Sequence, residues 1–396
     1  MLTERTKQIQ GSQTSGMRNR AKRLAEQGVA VINFAAGELD LDTSDVIKRA
    51  TRQAVDDRRN QYTDTMGISE LRRGLAARVS AKTGLTYAPE EIGVTAGAKQ
   101  ALYNAAMVLF QPGDEVIIPA PYWVTFPAQV VLAGAKPVFL PTERTNFQID
   151  PDTLARSVTP ETRGILLNTP HNPTGAVYGE TSLRKIAALA MEKNLVVVFD
   201  ECYESLVYAP AVHHNIVRLV PEMKERTVLV NSFSKTYCMT GWRVGYVAGP
   251  APVIKAMSDL QGHTTSNPCN LAQYAALAAL DPANDPFLDG VRRVLGERRD
   301  RALAIARTIP NSDSPTPGGA FYLFLNVGWF LGKGYNGERM ADVDALAEML
   351  LKEAHVAVVA GSGFGSAHHV RISYAVSTEH VEEGMQRIKR FLERVA

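Results

Sequence analysis

Between residues 90 and 280 the chain alternates short runs of Val, Ile and Leu with helical stretches, and this alternation limits the fold more than any other feature. The runs are IGVTA (92–96), EVIIPA (115–120), KPVFL (136–140), GILLN (164–168), LVVVFD (195–200), TVLVNSF (227–233) and VGYVAG (244–249). Most of the segments between them have helical periodicity, as in 98–109, where Ala98, Leu102, Ala105 and Leu109 share one face. Strands apolar on both faces and separated by helices predict an α/β fold with a mostly parallel, seven-stranded central sheet flanked by helices. In such sheets ligands gather beyond the C-terminal ends of the strands.

The flanks read differently. A polar helix (18–27), a short strand (30–34) and helices at 44–58 and 68–83 precede the alternating region. After about residue 285 come an arginine-rich helix (289–307), the strand AFYLFLNV, a helix from Val343 to Ala354, the strands AVVAG and VRISYAV, and a last helix with Val381, Met385, Ile388, Leu392 and Val395 on one face. This predicts a smaller α+β domain formed by both chain ends. The expected division is 1–45 as an arm and part of the small domain, 46–285 as the large domain and 286–396 as the C-terminal small domain. With 43 basic and 41 acidic residues, the net charge is +2 and no block of like charge occurs, which argues against a nucleic-acid or membrane-surface binder. The first 20 residues have charges and no apolar core, so the expectation is a cytoplasmic protein without a secretory signal. Cys202, Cys238 and Cys269 are too scattered for a disulfide framework or a metal knuckle.

Polar residues concentrate at the strand ends. Ser232-Phe-Ser234-Lys235 follows one strand and leads to Gly-Trp-Arg243. Two hydroxyls and two cations within a dozen residues suit a phosphate dianion, and a lysine among cations can have its pKa lowered enough for Schiff-base chemistry. A lone lysine there would be a solvated loop residue. Asp200 closes another strand, either capping the next turn or pairing with a buried cation. Asn168-Thr-Pro-His171-Asn172-Pro-Thr-Gly175 is a rigid loop whose turn needs no particular side chain at Asn172, leaving that amide free for a ligand. Gly97, Ala98 and Lys99 mark a strand-to-helix switch, where close backbone approach and free N–H groups favour an anion. Trp123 follows a further strand, where it either packs in the core or covers a flat cofactor.

Together these segments resemble the fold-type I pyridoxal phosphate enzymes, and in particular the class I, aspartate aminotransferase-like family. The resemblance extends from about residue 28 to 395 and rests on the Asn-Pro-Thr-Gly loop, the Asp-x-x-Tyr pair, Ser-x-Ser-Lys with Gly-Trp-Arg-x-Gly-Tyr, and a late Arg-x-Ser-Tyr. It implies that Lys235 carries pyridoxal 5′-phosphate through its amine and shuttles a proton. Asp200 would pair with the protonated ring nitrogen, Tyr203 and Asn172 would bond the phenolic oxygen, and Trp123 would stack on the ring. The phosphate would lie on Gly97, Ala98, Lys99, Ser232, Ser234 and Arg243, and Tyr62 would reach the phosphate of the neighbouring subunit in a homodimer with shared sites. Arg371 would clamp the substrate α-carboxylate, Gly37 would line the substrate side, and Lys99 would help hold a distal carboxylate.

The implied reaction is ping-pong transfer of an amino group between an aspartate- or glutamate-like amino acid and a 2-oxo acid. Aromatic, alanine or specialised donors are the alternative, as is a lyase, decarboxylase or oxidase on the same scaffold. A catalytically dead scaffold would have lost Lys235, Asp200 or Arg371. The chain departs from the family at Leu39, where a proline is common, at His171, where asparagine is common, and at Ser12-Gln13-Thr14, which replaces a Ser-Pro-Thr segment that often closes over substrate. His171 is expected outside direct ligand contact or solvated, His213 and His214 in a loop, and His368 and His369 shaping a loop beside Arg371. His263 lies in a stretch that in the family comes near the neighbouring site. No metal-ligand spacing is present.

Overall fold

The computed structural model describes residues 13–395 together with Leu2, Glu4–Lys7, Ile9 and Gly11; Ser12, one of the departures noted above, lies outside them. The seven apolar runs form one sheet. Its strands are Ile92–Thr95 (β1), Glu115–Ala120 (β2), Lys136–Pro141 (β3), Thr162–Asn168 (β4), Val196–Asp200 (β5), Thr227–Ser232 (β6) and Gly245–Ala248 (β7). The strand order is β1-β7-β6-β5-β4-β2-β3. The pairs β3–β2, β2–β4, β4–β5 and β5–β6 are parallel, and β7 runs antiparallel to both neighbours.

Register then determines what meets at the C-terminal edge. Asn168 of β4 lies opposite Asp200 of β5, and Asp200 lies opposite Val230 of β6, two residues before Ser232. Because β7 is reversed, its first residue, Gly245, pairs with Ser232 on one side and Thr95 on the other. The segment carrying Arg243 therefore enters the sheet at the edge where β1 and β6 leave it.

Both chain ends share a second core. Strand Ile32–Asn33 pairs in parallel with Val356–Ala357. Tyr322–Asn326 (β8), Val359–Ala360 (β9) and His369–Ser373 (β10) make an antiparallel sheet in the order β9-β10-β8. Phe34, Phe324, Phe364, Met385 and Ile388 are all buried in one apolar cluster. Buried Arg298, from helix Asp285–Ala306, forms a two-pronged ion pair with Asp40 at 2.6 and 2.9 Å, fixing the segment after Gly37. The polar helix expected at 18–27 is longer than its charge pattern predicts: Gln13–Glu26 buries Met17 and Ala21 on one face.

Gly245 is the tightest point near the edge. A Cβ there would lie 2.7 Å from the Ala98 nitrogen, 2.8 Å from the Gly97 carbonyl carbon and 2.9 Å from the Asn231 oxygen, all of them backbone atoms. Gly245→Ala is therefore expected to lower unfolding free energy in urea by about 1–3 kcal/mol through overpacking. Gly290→Ala, in a helix with nothing within 4 Å of the new methyl, is expected to be neutral or stabilising by up to about 1 kcal/mol.

Candidate active site

A cavity of about 490 Å³ opens beyond the C-terminal edge of the sheet and brings most of the expected residues together. Ala98, Lys99, Trp123, Asn172, Asp200, Tyr203, Ser232, Ser234, Lys235, Arg243, Gly37 and Arg371 all line it. Gly97 sits directly behind, with φ +78°, and a Cβ on it would come within 2.7 Å of Arg243 Nη2. Tyr62 is not in the cavity of its own chain; it is 90% exposed.

Lys235 is carried on the short helix Phe233–Thr236, whose first turn is capped by the Ser232 hydroxyl accepting from the Ser234 N–H at 3.1 Å. Its amine donates to the Gly37 carbonyl across the two halves of the molecule. Burial, helped by Arg371 and Arg243, brings its pKa down to about 8 against the attraction of Cys202 and Glu38. The sequence argument placed Asp200 either in a turn or against a cation. The structure shows it buried, accepting the Cys202 N–H at 3.0 Å and raised by burial to about 6. It has no cationic partner within ion-pair distance among the described residues.

One end of the cavity is built for an anion. The Ser232 and Ser234 hydroxyls lie 2.8 Å apart. Arg243 donates only to the carbonyls of Thr240 and Ala96, at 2.9 and 3.3 Å, and has no acidic partner among the described residues. Gly97 and the first N–H groups of helix Ala98–Leu109 complete the cradle.

The opposite end holds Arg371, 1% exposed on β10. Nη1 donates to Asn172 Oδ1 and Nη2 to the Ala35 carbonyl, both at 3.0 Å. The guanidinium lies over the rings of Tyr322 and Phe364, at 4.4 and 5.0 Å. Nε is buried without a partner among the described residues, and no carboxylate lies within ion-pair distance. A buried guanidinium without an acid is costly unless a ligand supplies one. Lys99 also lacks an anion: its amine lies 5.0 Å above the Trp123 ring, and burial lowers its pKa.

Several residues of the cavity carried no sequence signal. Tyr322 shares a 2.9 Å hydrogen bond with the Tyr203 hydroxyl, and a Cβ on Gly37 would come within 3.1 Å of its oxygen. It was hidden in an apolar strand. Arg18, Glu38, Cys202 and Thr240 also line the cavity, and Thr14, from the segment that replaces Ser-Pro-Thr, joins them.

The histidines stay outside. His171 is buried rather than solvated, with Nδ1 2.7 Å from the Thr174 hydroxyl and its pKa pushed by burial to about 3, so its ring is neutral. His369 belongs to strand β10 rather than a loop, stacks on Phe324 at 4.6 Å and is lowered by burial to about 4. His213 meets buried Glu201 at 3.0 Å, where Asn215 also donates and Lys82 pairs with neighbouring Glu204.

Fold and site together define an enzyme that handles amino and carboxylate groups. The profile of the aminotransferase class I and II family matches residues 29–388, and the chain belongs to that family. It is 40% identical over 393 residues to an aspartate/prephenate aminotransferase of Cereibacter sphaeroides, covering 98% of each chain. It is also 40% identical to the aspartate aminotransferase of Bacillus subtilis, over 99% of each. Among solved structures, the Thermus thermophilus aspartate aminotransferase with maleate superposes with TM-score 0.93 at 37% identity over 99% of each chain. The Rhizobium meliloti aspartate aminotransferase gives 0.95 at 36% over 100% of each.

Because the folded-state pKa of Lys235 lies below its ordinary 10.5, the cofactor-free fold favours the neutral amine. Its contribution to stability is present above about pH 10.5 and is lost as the pH falls through about 8. Urea midpoints of the cofactor-free protein are expected to carry a rising term between these values, and Lys235→Met to remove it.

Proposed function

We propose that the protein binds pyridoxal 5′-phosphate and transfers an amino group between a dicarboxylic L-amino acid, aspartate or glutamate, and a 2-oxo acid by a ping-pong mechanism. The observation that carries this reading is the buried, acid-free Arg371 at one end of a cavity whose other end is an acid-free anion cradle. A substrate carboxylate answers the first and a cofactor phosphate the second.

The donor set suits this cofactor. Gly97, Ala98, Ser232, Ser234 and Arg243 would hold the phosphate, and the close approach of Arg243 to Gly97 leaves no room for a larger side chain. Asp200, raised to about 6 while it lacks a cation, would pair with the protonated ring nitrogen of the bound cofactor. Trp123 would cover a ring face, and Tyr203 and Asn172 would bond the phenolic oxygen, the Asn172 side-chain oxygen being already committed to Arg371. Once bound, the cofactor supplies an electron-accepting ring that spreads the charge left when the substrate Cα–H bond breaks. Lys235 Nζ, a neutral amine near neutral pH at modest cost, takes the proton from the substrate Cα and returns it. Arg371 grips the α-carboxylate in a fork and so fixes which Cα bond faces the ring.

Lys99, held over Trp123 without an anion, supports a dicarboxylic substrate. The relatives named for aspartate, and the Thermus structure solved with maleate, support the same choice. The protein acts as a homodimer in the cytoplasm. The 90% exposure of Tyr62 supports a role on the neighbouring site, and three free cysteines suit a reducing compartment.

The test is the absorbance of the loaded protein before and after L-aspartate and then 2-oxoglutarate. The visible cofactor band should disappear with the first and return with the second. A band unchanged by aspartate or glutamate but lost with alanine or an aromatic donor would replace the dicarboxylate assignment; release of ammonia or carbon dioxide would replace transamination. Lys235→Ala is expected to abolish both half-reactions. Arg371→Lys, which breaks the two-pronged carboxylate pair, is expected to lower kcat/KM for donor and acceptor alike by about a hundredfold, within the ~2–5 kcal/mol of losing one partner in a buried charge pair.

A further inference from the structure

Arg18 stands on helix Gln13–Glu26, one helical turn after Thr14, so the two share a face. Both line the same cavity as Lys99 and Arg371. The helix is held in place along the adjoining stripe of the same face: Met17 and Ala21 are buried, and Gln13 Oε1 accepts from the Ser362 hydroxyl at 3.4 Å. Thr14 Oγ1 is buried without a hydrogen-bond partner among the described residues, which leaves an unmatched polar atom on the face turned to the cavity.

The cations of the cavity differ in depth. Arg371 is buried, whereas Lys99, over Trp123, and Arg18 are both exposed. Some surface arginines of this chain are ion-paired, as Arg20 is with Glu348 and Arg301 with Glu382. Arg18 makes no hydrogen bond or ion pair with any described residue. The cavity has two carboxylates of its own, Asp200 and Glu38. Asp200 lies at the buried strand edge, and Glu38 receives the Thr240 hydroxyl at 3.5 Å. Neither is within ion-pair distance of Arg18, so the rim cation is free for an incoming anion.

We propose that Arg18 is a specificity-determining residue that pairs, beside Lys99, with the distal carboxylate of the substrate. This rests on the reading that the α-carboxylate lies on Arg371 and that the substrate is dicarboxylic. An arginine offers a planar fork to a carboxylate, where Lys99 offers a single point charge already leaning on a ring. An exposed fork on a docked helix can follow distal carboxylates at different distances, as a site that receives a four-carbon and then a five-carbon acid requires.

The test is calorimetric titration of the loaded protein with glutarate and with pentanoate, which match in length and differ in the distal charge and need no turnover. Arg18→Gln is expected to weaken glutarate about five- to thirtyfold, the range for loss of one hydrogen-bonded charge contact, and to leave pentanoate within about twofold. Arg18→Lys should recover part of the loss, and added salt should weaken glutarate more in the parent protein than in Arg18→Gln. A glutarate preference of undiminished size in Arg18→Gln would overturn the assignment of Arg18 and leave the dicarboxylate reading intact. Equal weakening of both ligands would also overturn it, marking Arg18 as structural. A parent protein that prefers neither ligand would overturn the dicarboxylate reading, and this proposal with it.

Discussion

An arginine buried without an acid organises much of this molecule. Removing a guanidinium from water costs several kcal/mol, and partial relief comes here from two aromatic faces, one amide oxygen and one backbone carbonyl. Those partners come from four separate places: Tyr322 on β8, Phe364 in the turn after β9, Asn172 in the loop after β4, and Ala35 after the first strand. Each must be positioned for the guanidinium to be tolerated. The second core, the Asp40–Arg298 ion pair and the parallel pairing of Ile32–Asn33 with Val356–Ala357 serve that positioning.

The same economy is visible at the other end of the cavity. Asp200, Lys235 and Arg243 are three ionisable groups held apart rather than neutralised against each other, and burial raises one pKa and lowers another. Such mismatched environments mark sites prepared for a ligand that brings complementary charges. The reversed β7 makes this possible, because Arg243 arrives at the sheet edge just before Gly245, beside the ends of β1 and β6.

Much of this was legible in the sequence. Seven apolar runs became seven strands, and polar residues directly after them, Asp200, Ser232, Ser234 and Lys235, became cavity walls, since a buried strand leaves only its end for chemistry. The direction of β7 was not legible, because period and composition are the same for parallel and antiparallel strands buried on both faces. Tyr322 was missed for a related reason. An aromatic inside Ala-Phe-Tyr-Leu-Phe reads as core, and only its meeting with Tyr203, 119 positions away, shows the hydroxyl at work. Arg18 and Thr14 lay in a polar segment whose helical extent was underestimated, because its apolar stripe consists of little more than Met17 and Ala21.

The parallel pairing of the two chain ends sets the order in which the protein can become competent during synthesis. The anion cradle and Lys235 lie within residues 97–243 and can form on the growing central sheet. Arg371 meets Ala35 across 336 positions and Asn172 across 199. Loop closures of that length are slow and wait for the last strand to leave the ribosome. A nascent chain therefore acquires its anion cradle well before its carboxylate grip.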